Sequence, residues 1–374
     1  MPWLDHRLWL GRLCDGHSIF DQSKMISFYP GPSRVHEEVP AYVAEAHQLG
    51  VLEMSHRSPE FMAMVEKTVS LLRDKLKIPV SYTVLFASSA TECWEVIAQS
   101  LIKKKSTHIF NGAFGKKWFD TTLSIKYTAE PYSFSCEEEP NAALFHFHES
   151  DVICLTHNET SNGTALTNKC IKKVADKHPK ALIAVDATSS MGGVYLSFSV
   201  ADVWFASVQK CFGLPAGLAL MVLSPKAVKR AKEIGERQHY NSLNKMVDMM
   251  VLWQTTHTPN VLAIFLLMKV LEKTDDIRQT EKRLELQLAG WKKFFKNSRL
   301  AFLIENEGVQ SKTVLAIKTT DKRVVRIKKE AKRVGILLGD GYGDHKATTF
   351  RIANFPAIKE SEIKQLQDFL TWYL

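Results

Sequence analysis

Between about residue 60 and residue 224 the chain switches repeatedly between two hydrophobic periods, and this alternation restricts its fold more than any other feature. "SPEFMAMVEKTVSLLRDKL" carries apolar residues at helical spacing and opens on Ser-Pro, a start that suits a helix with proline in its first turn. "YTVLFAS" reads as a strand and "ATECWEVIAQSLI" as the helix directly after it. The pair recurs as "STHIFNG" with "KKWFDTTLSI", and as "SDVICLTHNET" with "TNKCIKKVADKHP". "ALIAVDATSS", "DVWFASVQK" and "AGLALMVLSP" are further strand-like runs. Strands alternating with helices predict an α/β fold built on a mostly parallel sheet. After "TTHTPN" the texture changes to a long helical stretch with a break near 274–276, followed by strand, helix, strand and closing helix. We place a boundary near 260. Residues 25–260 then form a large domain, its first residues free to pack on a small α+β domain of residues 261–374. Residues 1–24, which precede the natural-looking start "MISFYPGPSRV", are read as an extension.

Composition narrows the class. The 374 residues are 45% hydrophobic and 24% charged, an ordinary globular balance. The formal net charge is +9, and its densest cluster, "DKRVVRIKKEAKRV", alternates with Val, Ile and Ala at near-helical spacing. A solvated helix face explains that cluster better than a nucleic-acid surface, and a small anionic substrate also suits a basic protein. The apolar run "VLAIFLLMKVL" is too short to span a bilayer, so no membrane partner is expected. Six cysteines show no CxxC pair and no metal-ligand spacing, which fits a reducing, cytoplasmic setting with no metal site.

In an open α/β sheet, ligands bind beyond the carboxyl ends of the strands. Five strand ends carry residues that merit attention. "LFASSATE" puts Ser89, Ala90 and Thr91 at a helix N-terminus, where backbone N–H groups can cradle a phosphate; Thr91 as a plain helix cap is the simpler alternative. "IAVDATSS" ends an apolar strand on Asp186, either a turn cap or a buried acid with a partner. In "THNETSNG", a tight turn accounts for Asn162-Gly163 but not for Thr160. "NGAFGKKW" offers Phe114 as either a core ring or a stacking platform. "FASVQKCFGLPAG" sets Lys210 between an apolar approach and a Gly/Pro-rich turn, although lysine is rarely buried. A phosphate cradle, an aromatic platform, a buried acid and a lysine together form the set that pyridoxal 5'-phosphate requires. The lysine bonds its aldehyde and the acid pairs with its ring nitrogen.

The stretches "SFYPGPSRV", "EMSHRSPEF", "LRDKLKIPVSYTVLFASSATE", "HNET", "VDATSSMGG", "SVQKCFGLPAGLALMVLS" and "THTPN" resemble class V aminotransferases of fold type I. "HRSPEF" and the "LR…L.IP..Y.VLF" segment are similar to the phosphoserine aminotransferase branch in particular. The resemblance implies a seven-stranded, mainly parallel sheet sandwiched by helices, and a homodimer with shared active sites acting on amino acids and 2-oxo acids. It implies that Lys210 bonds the cofactor and moves the α-proton, and that Asp186 keeps the pyridine nitrogen protonated. Thr160 would bond the ring hydroxyl and Phe114 would stack on the ring, where relatives usually carry Trp. Ser89, Ala90, Thr91 and Gln209 would hold the phosphate. His257 and Thr258 would reach that phosphate from the partner subunit, in place of the usual Asn-Thr. Arg351 would grip the substrate carboxylate, and His56 and Arg57 the substrate phosphate across the interface. Two departures stand out. The usual Gly-Gly-Ala-Ser turn reads Ser88-Ser89-Ala90-Thr91. "GDGYGDHKATTFR" replaces the usual His-Arg pair, leaving His345 and Lys346 as stand-ins. That second segment is closer to alanine–glyoxylate and serine–pyruvate relatives. The expected activity is O-phosphoserine/3-phosphohydroxypyruvate transamination with glutamate/2-oxoglutarate. The alternative is an alanine-, serine- or aspartate-glyoxylate or -pyruvate aminotransferase. A cysteine desulfurase is disfavoured, because Cys211 is the last cysteine in the chain. A non-catalytic role is disfavoured by the joint presence of Lys210, Asp186 and Arg351.

Overall fold

The computed structural model describes residues 25–125, 128–141 and 150–374. The extension 1–24 lies outside the described residues. Seven strands form the main sheet: β2 (Thr83–Ala87), β3 (Ser106–Phe110), β4 (Ala129–Ser133), β5 (Val152–Thr156), β8 (Leu182–Asp186), β9 (Val203–Ser207) and β10 (Ala219–Leu223). Their order is β2-β10-β9-β8-β5-β3-β4. Only β10 runs against its neighbours; β9, β8, β5, β3 and β4 are parallel in succession. "LIAVD", "VWFAS" and "ALMVL" are buried at every position, because helices cover both faces of the sheet. The helices that follow β2 and β3 are α3 (Ala90–Leu101) and α4 (Ala113–Ile125), preceded in the chain by α1 (Val39–Gln48) and α2 (Pro59–Leu76). The short pair β6 (Asn158–Glu159) and β7 (Thr164–Ala165) follows β5, and α5 (Asn168–Lys177) leads on to β8. The crossovers bring the carboxyl ends of β3, β5, β8 and β9 to one edge.

A second sheet, β1-β13-β14-β12-β11, joins β1 (Ile26–Phe28) to the C-terminal strands β11 (Ala301–Phe302), β12 (Val314–Lys318), β13 (Ile336–Asp340) and β14 (Thr349–Ala353). The remaining helices are α6 (Pro225–Ile234), α7 (Leu243–Met250), α8 (Val261–Lys273), α9 (Ile277–Phe295), α10 (Asp321–Arg333) and α11 (Glu360–Leu370). The break expected near 274–276 separates α8 from α9, where Asp276 Oδ1 caps α9 through the Arg278 N–H at 2.9 Å. Elements that periodicity alone did not single out include β4, α6 and α7. β4 is a mostly exposed edge strand containing Pro131, so it lacks an apolar face to read. α6 is charged along most of its length and buries only Ala227 and Ala231, yet it opens on Ser224-Pro225 and ends at Gly235 with φ 69°.

Buried apolar residues fall into two clusters. The first runs from Val39 to Ile277 and includes the main sheet and α8. The second gathers Phe28, Cys211 and residues from Leu288 to Tyr373. The chain around Lys210 is therefore pinned on both sides: Val208 and Phe212 belong to the first cluster and Cys211 to the second. Among the described residues, no helix is long and apolar enough to cross a membrane. Leu85 in β2 is fully buried, so Leu85→Ala should lower stability to chemical denaturation by about 2–5 kcal/mol. Val325→Ala on the exposed face of α10 should stay within about 0.5 kcal/mol. Equal losses at the two positions would contradict this core.

Candidate active site

A cavity of about 530 Å³ opens at the carboxyl ends of the main-sheet strands, and Lys210 stands in its wall. The lysine is only 7% exposed, held by an apolar strand behind it and the Gly213 turn (φ 60°) after it. Its Nζ donates to Thr160 Oγ1 and Ser189 Oγ, 2.9 Å each, and those two hydroxyls bond one another. Burial pushes the ammonium down to about 8, against the pull of Asp186. The backbone passes close by at Gly31, where φ is +146° and a Cβ would lie 2.7 Å from Lys210 Cε.

Asp186 ends β8 facing the same cavity. Its Oδ1 accepts the Thr188 N–H at 2.9 Å and its Oδ2 the Trp94 indole N–H at 3.2 Å. Burial raises its pKa, with those bonds and Lys210 opposing. The sequence left a turn cap and a buried acid open for Asp186, and it is both. Trp94 in turn stacks on Trp118 at 6.4 Å, with the His108 ring edge-on to Trp118 at 5.4 Å. Burial holds His108 neutral, at about 3.

The N-terminus of α3 enters from one side. Ser89, rather than Thr91, is its cap: Ser89 Oγ accepts the Glu92 N–H at 3.1 Å. Ala90 and Thr91 line the cavity, and the Ala90 N–H donates to Ser207 Oγ at 2.8 Å. Phe114 lies in the first turn of α4. Buried Glu159 accepts the N–H groups of Phe114 at 3.1 Å and Gly115 at 3.0 Å, which fixes how that turn is presented. The approach is close enough that a Cβ on Gly112 would lie 2.3 Å from Glu159 Cγ. Arg351 in β14 is 4% exposed and anchored through Nε to the Asp340 carbonyl (2.6 Å) and Nη1 to the Thr160 carbonyl (2.7 Å). The rest of its fork is left to face the cavity.

Not every expected residue converges here. His56, Arg57 and His257 gather on another face: Arg57 Nη1 bonds Gln254 Oε1, and His56 is held below its usual pKa by burial, Arg57 and His257. Thr258 is exposed beside them. His345 lines a neighbouring hollow, and Lys346 is exposed and lines neither space. Residues not anticipated from sequence are Trp94, Asn158, Thr188, Ser189, Tyr342 and Lys117, all in the wall. The runs "HNET" and "DATSS" hint at three of them, but only the meeting of separate strand ends reveals the set.

The wall also tests what the cavity holds. Asn158 Nδ2, Thr188 Oγ1 and Gln209 Oε1 are buried and find no hydrogen-bond partner among the described residues. Leaving such groups unpaired is costly, so they fit a polar ligand with several bonding atoms. A lysine of lowered basicity, an acid and a helix N-terminus add the groups that pyridoxal phosphate requires.

The depressed basicity of Lys210 has a measurable consequence. Between about 8 and 10.5 the unfolded chain holds the lysine proton more tightly than the folded one, so folded stability rises with pH through that window. Lys210→Met should therefore stabilise the cofactor-free protein most below pH 8, relative to the native chain. Thermal unfolding of both should show the gap shrinking toward pH 10.5; a gap independent of pH would contradict the buried-ammonium assignment.

The profile of the family described as Aminotransferase class-V matches residues 30–342. A phosphoserine aminotransferase of Rhodococcus opacus is 28% identical over 352 residues, covering 91% of this chain and 93% of that protein. The crystal structure of a phosphoserine aminotransferase from Cytophaga hutchinsonii superposes with a TM-score of 0.88 at 31% identity, over 94% of this chain and all of that one. An alanine–glyoxylate aminotransferase from Nostoc shares the fold, with a TM-score of 0.79 at 18% identity and full coverage of both chains. The chain thus belongs to the class V aminotransferases, and it is a pyridoxal-phosphate-dependent enzyme similar to phosphoserine aminotransferase.

Proposed function

We propose that the enzyme interconverts O-phosphoserine and 3-phosphohydroxypyruvate, with glutamate and 2-oxoglutarate as the second pair. The observation that carries this reading is the convergence of Lys210, Asp186 and Arg351 on one basic cavity in a chain similar to phosphoserine aminotransferases over most of its length. When bound, pyridoxal phosphate supplies an aldehyde and a ring that accepts electron density from the substrate's α-carbon. Lys210 would be the nucleophile toward that aldehyde, since its lowered basicity leaves an uncharged fraction of amine near neutral pH. Its Nζ would also carry the α-proton, with the Thr160 and Ser189 hydroxyls fixing its direction. Asp186 would accept from the protonated ring nitrogen, and the Trp94 N–H and Thr188 N–H orient its carboxyl. Phe114 offers a flat face, while Ala90, Thr91 and Gln209 receive the phosphate at the α3 N-terminus. Ser89 acts one step back, as the cap of that helix. Arg351 takes the α-carboxylate in a bidentate grip.

His56, Arg57, His257 and Thr258 are assigned to the second active site of a homodimer. Supporting this, Val251 and Leu252 beside them are 75% and 54% exposed, an apolar face that suits a second copy. The free cysteines among the described residues support a cytoplasmic setting. A second reading, an alanine-, serine- or aspartate-glyoxylate or -pyruvate aminotransferase, draws on the absence of His345 and Lys346 from the cavity wall.

Half-reactions distinguish the two. Purified holoenzyme mixed with O-phosphoserine, glutamate, serine, alanine or aspartate should lose the aldehyde-form absorbance fastest with phosphoserine and glutamate. Reaction with alanine or serine and none with phosphoserine would favour the second reading. Lys210→Ala should abolish the change with every substrate. For the trans-site assignment, Arg57→Ala should raise KM for phosphoserine at least tenfold more than for alanine; equal effects would assign Arg57 a structural role.

A further inference from the structure

Lys117 was anticipated by no motif, yet it stands in the cavity wall one turn along α4 from Phe114. The Glu159 clamp on the first turn of α4 fixes the direction of this face. The Lys117 ammonium bonds the Tyr342 hydroxyl, lies 5.1 Å from the Tyr342 ring centroid and 5.5 Å from that of Phe114. The two rings are themselves 5.3 Å apart. Lys210 Nζ is 5.3 Å from the Phe114 centroid, and the Arg351 guanidinium is 5.3 Å from that of Tyr342. Three cations thus surround one aromatic pair: the reacting amine, the carboxylate-gripping fork and Lys117.

The nearby acids are already engaged. Asp120 is paired with Lys116 at 2.7 Å, Asp340 with Lys328, and Glu159 with backbone N–H groups. Among the described residues, neither Lys117 nor Arg351 has a carboxylate within ion-pair distance. Among the described residues, the hydrogen bond of the Lys117 ammonium goes to the Tyr342 hydroxyl, a partner that an anion readily replaces. We propose that Lys117 is the same-chain cation that recognises the distal acidic group, phosphate or carboxylate, of a substrate whose α-carboxylate lies on Arg351. This rests on the reading above that the enzyme works on substrates with two acidic groups. It assigns to Lys117 the role that sequence comparison gave to His345 and Lys346, and it complements any contribution of His56 and Arg57 across an interface. Tyr342 then acts as the gauge between the two cations, contacting both.

The test uses holoenzyme of the native chain, Lys117→Met and Lys117→Arg, matched for cofactor content by absorbance. Half-reactions with glutamate, O-phosphoserine and alanine give three values of kcat/KM per protein. A charge-assisted bond to a substrate is worth roughly 1.5–3 kcal/mol, about ten- to a hundredfold. Lys117→Met should therefore lower the ratio of glutamate to alanine, and of phosphoserine to alanine, by at least tenfold, through KM more than kcat. Lys117→Arg should restore most of both ratios. Ratios unchanged in Lys117→Met, with all three substrates losing alike, would overturn the assignment and reduce Lys117 to a packing contact for Tyr342. Native enzyme that accepts glutamate but not phosphoserine would overturn the phosphoserine reading alone, since the glutamate-to-alanine ratio still judges Lys117. Native enzyme that prefers alanine to both acids would overturn both.

Discussion

Everything at the site depends on keeping one amine out of water while it stays reachable from a cavity. A lysine in an apolar interior pays a desolvation penalty that its own side chain cannot offset. Here Lys210 is offset by two hydroxyls and a nearby carboxylate, and the backbone on either side of it is fixed in two different apolar cores. The result is an amine of reduced basicity, held in place where a flexible surface lysine would wander. Gly31 completes the arrangement: a second segment of chain lies against the lysine stem with no room for a side chain.

The other groups are held by the same logic of buried polar atoms finding partners. Asp186 sits at a strand end with its two oxygens committed to different donors, so its orientation is set before any ligand arrives. Glu159 is a buried acid with no ion pair among the described residues, satisfied by the N–H groups of a helix start and by Ser161. That bond network dictates how the first turn of α4, with Phe114 and Lys117, is presented to the cavity. Arg351 reaches across from the second sheet and is tied to the Thr160 carbonyl, so the residue whose hydroxyl accepts from the lysine also anchors the guanidinium. The site is therefore a joint between two sheets, and neither sheet holds it alone.

Much of this was legible in the sequence. Apolar runs of five residues ending in Thr, Asp or Ser specify buried parallel strands with polar ends, as at β5, β8 and β9. The break between α8 and α9 could be read from Thr274 to Asp276 because polar capping residues interrupt an apolar period there. The Ser89–Thr91 turn was legible as a helix start, although which hydroxyl caps it was decided by backbone geometry. Trp94 and Lys117 were not legible: a tryptophan at helical spacing reads as core, and a lysine within a basic pair reads as solvated surface. Tyr342 was quoted only as part of a motif, since its role depends on meeting Phe114 from more than two hundred positions away.

The sequence by itself determined the alternation of strands and helices and the family, and it pointed to Lys210 and Asp186 as candidates, because each is written in local pattern or in short motifs. The tertiary structure decided which of the many basic residues share a cavity. It set Lys117 and Arg351 around one tyrosine ring, and it put His56, Arg57 and His257 together on a separate face. Charge count and spacing cannot make that choice, since the position of a side chain two hundred residues away is fixed only when the sheet edges meet and the apolar cores close.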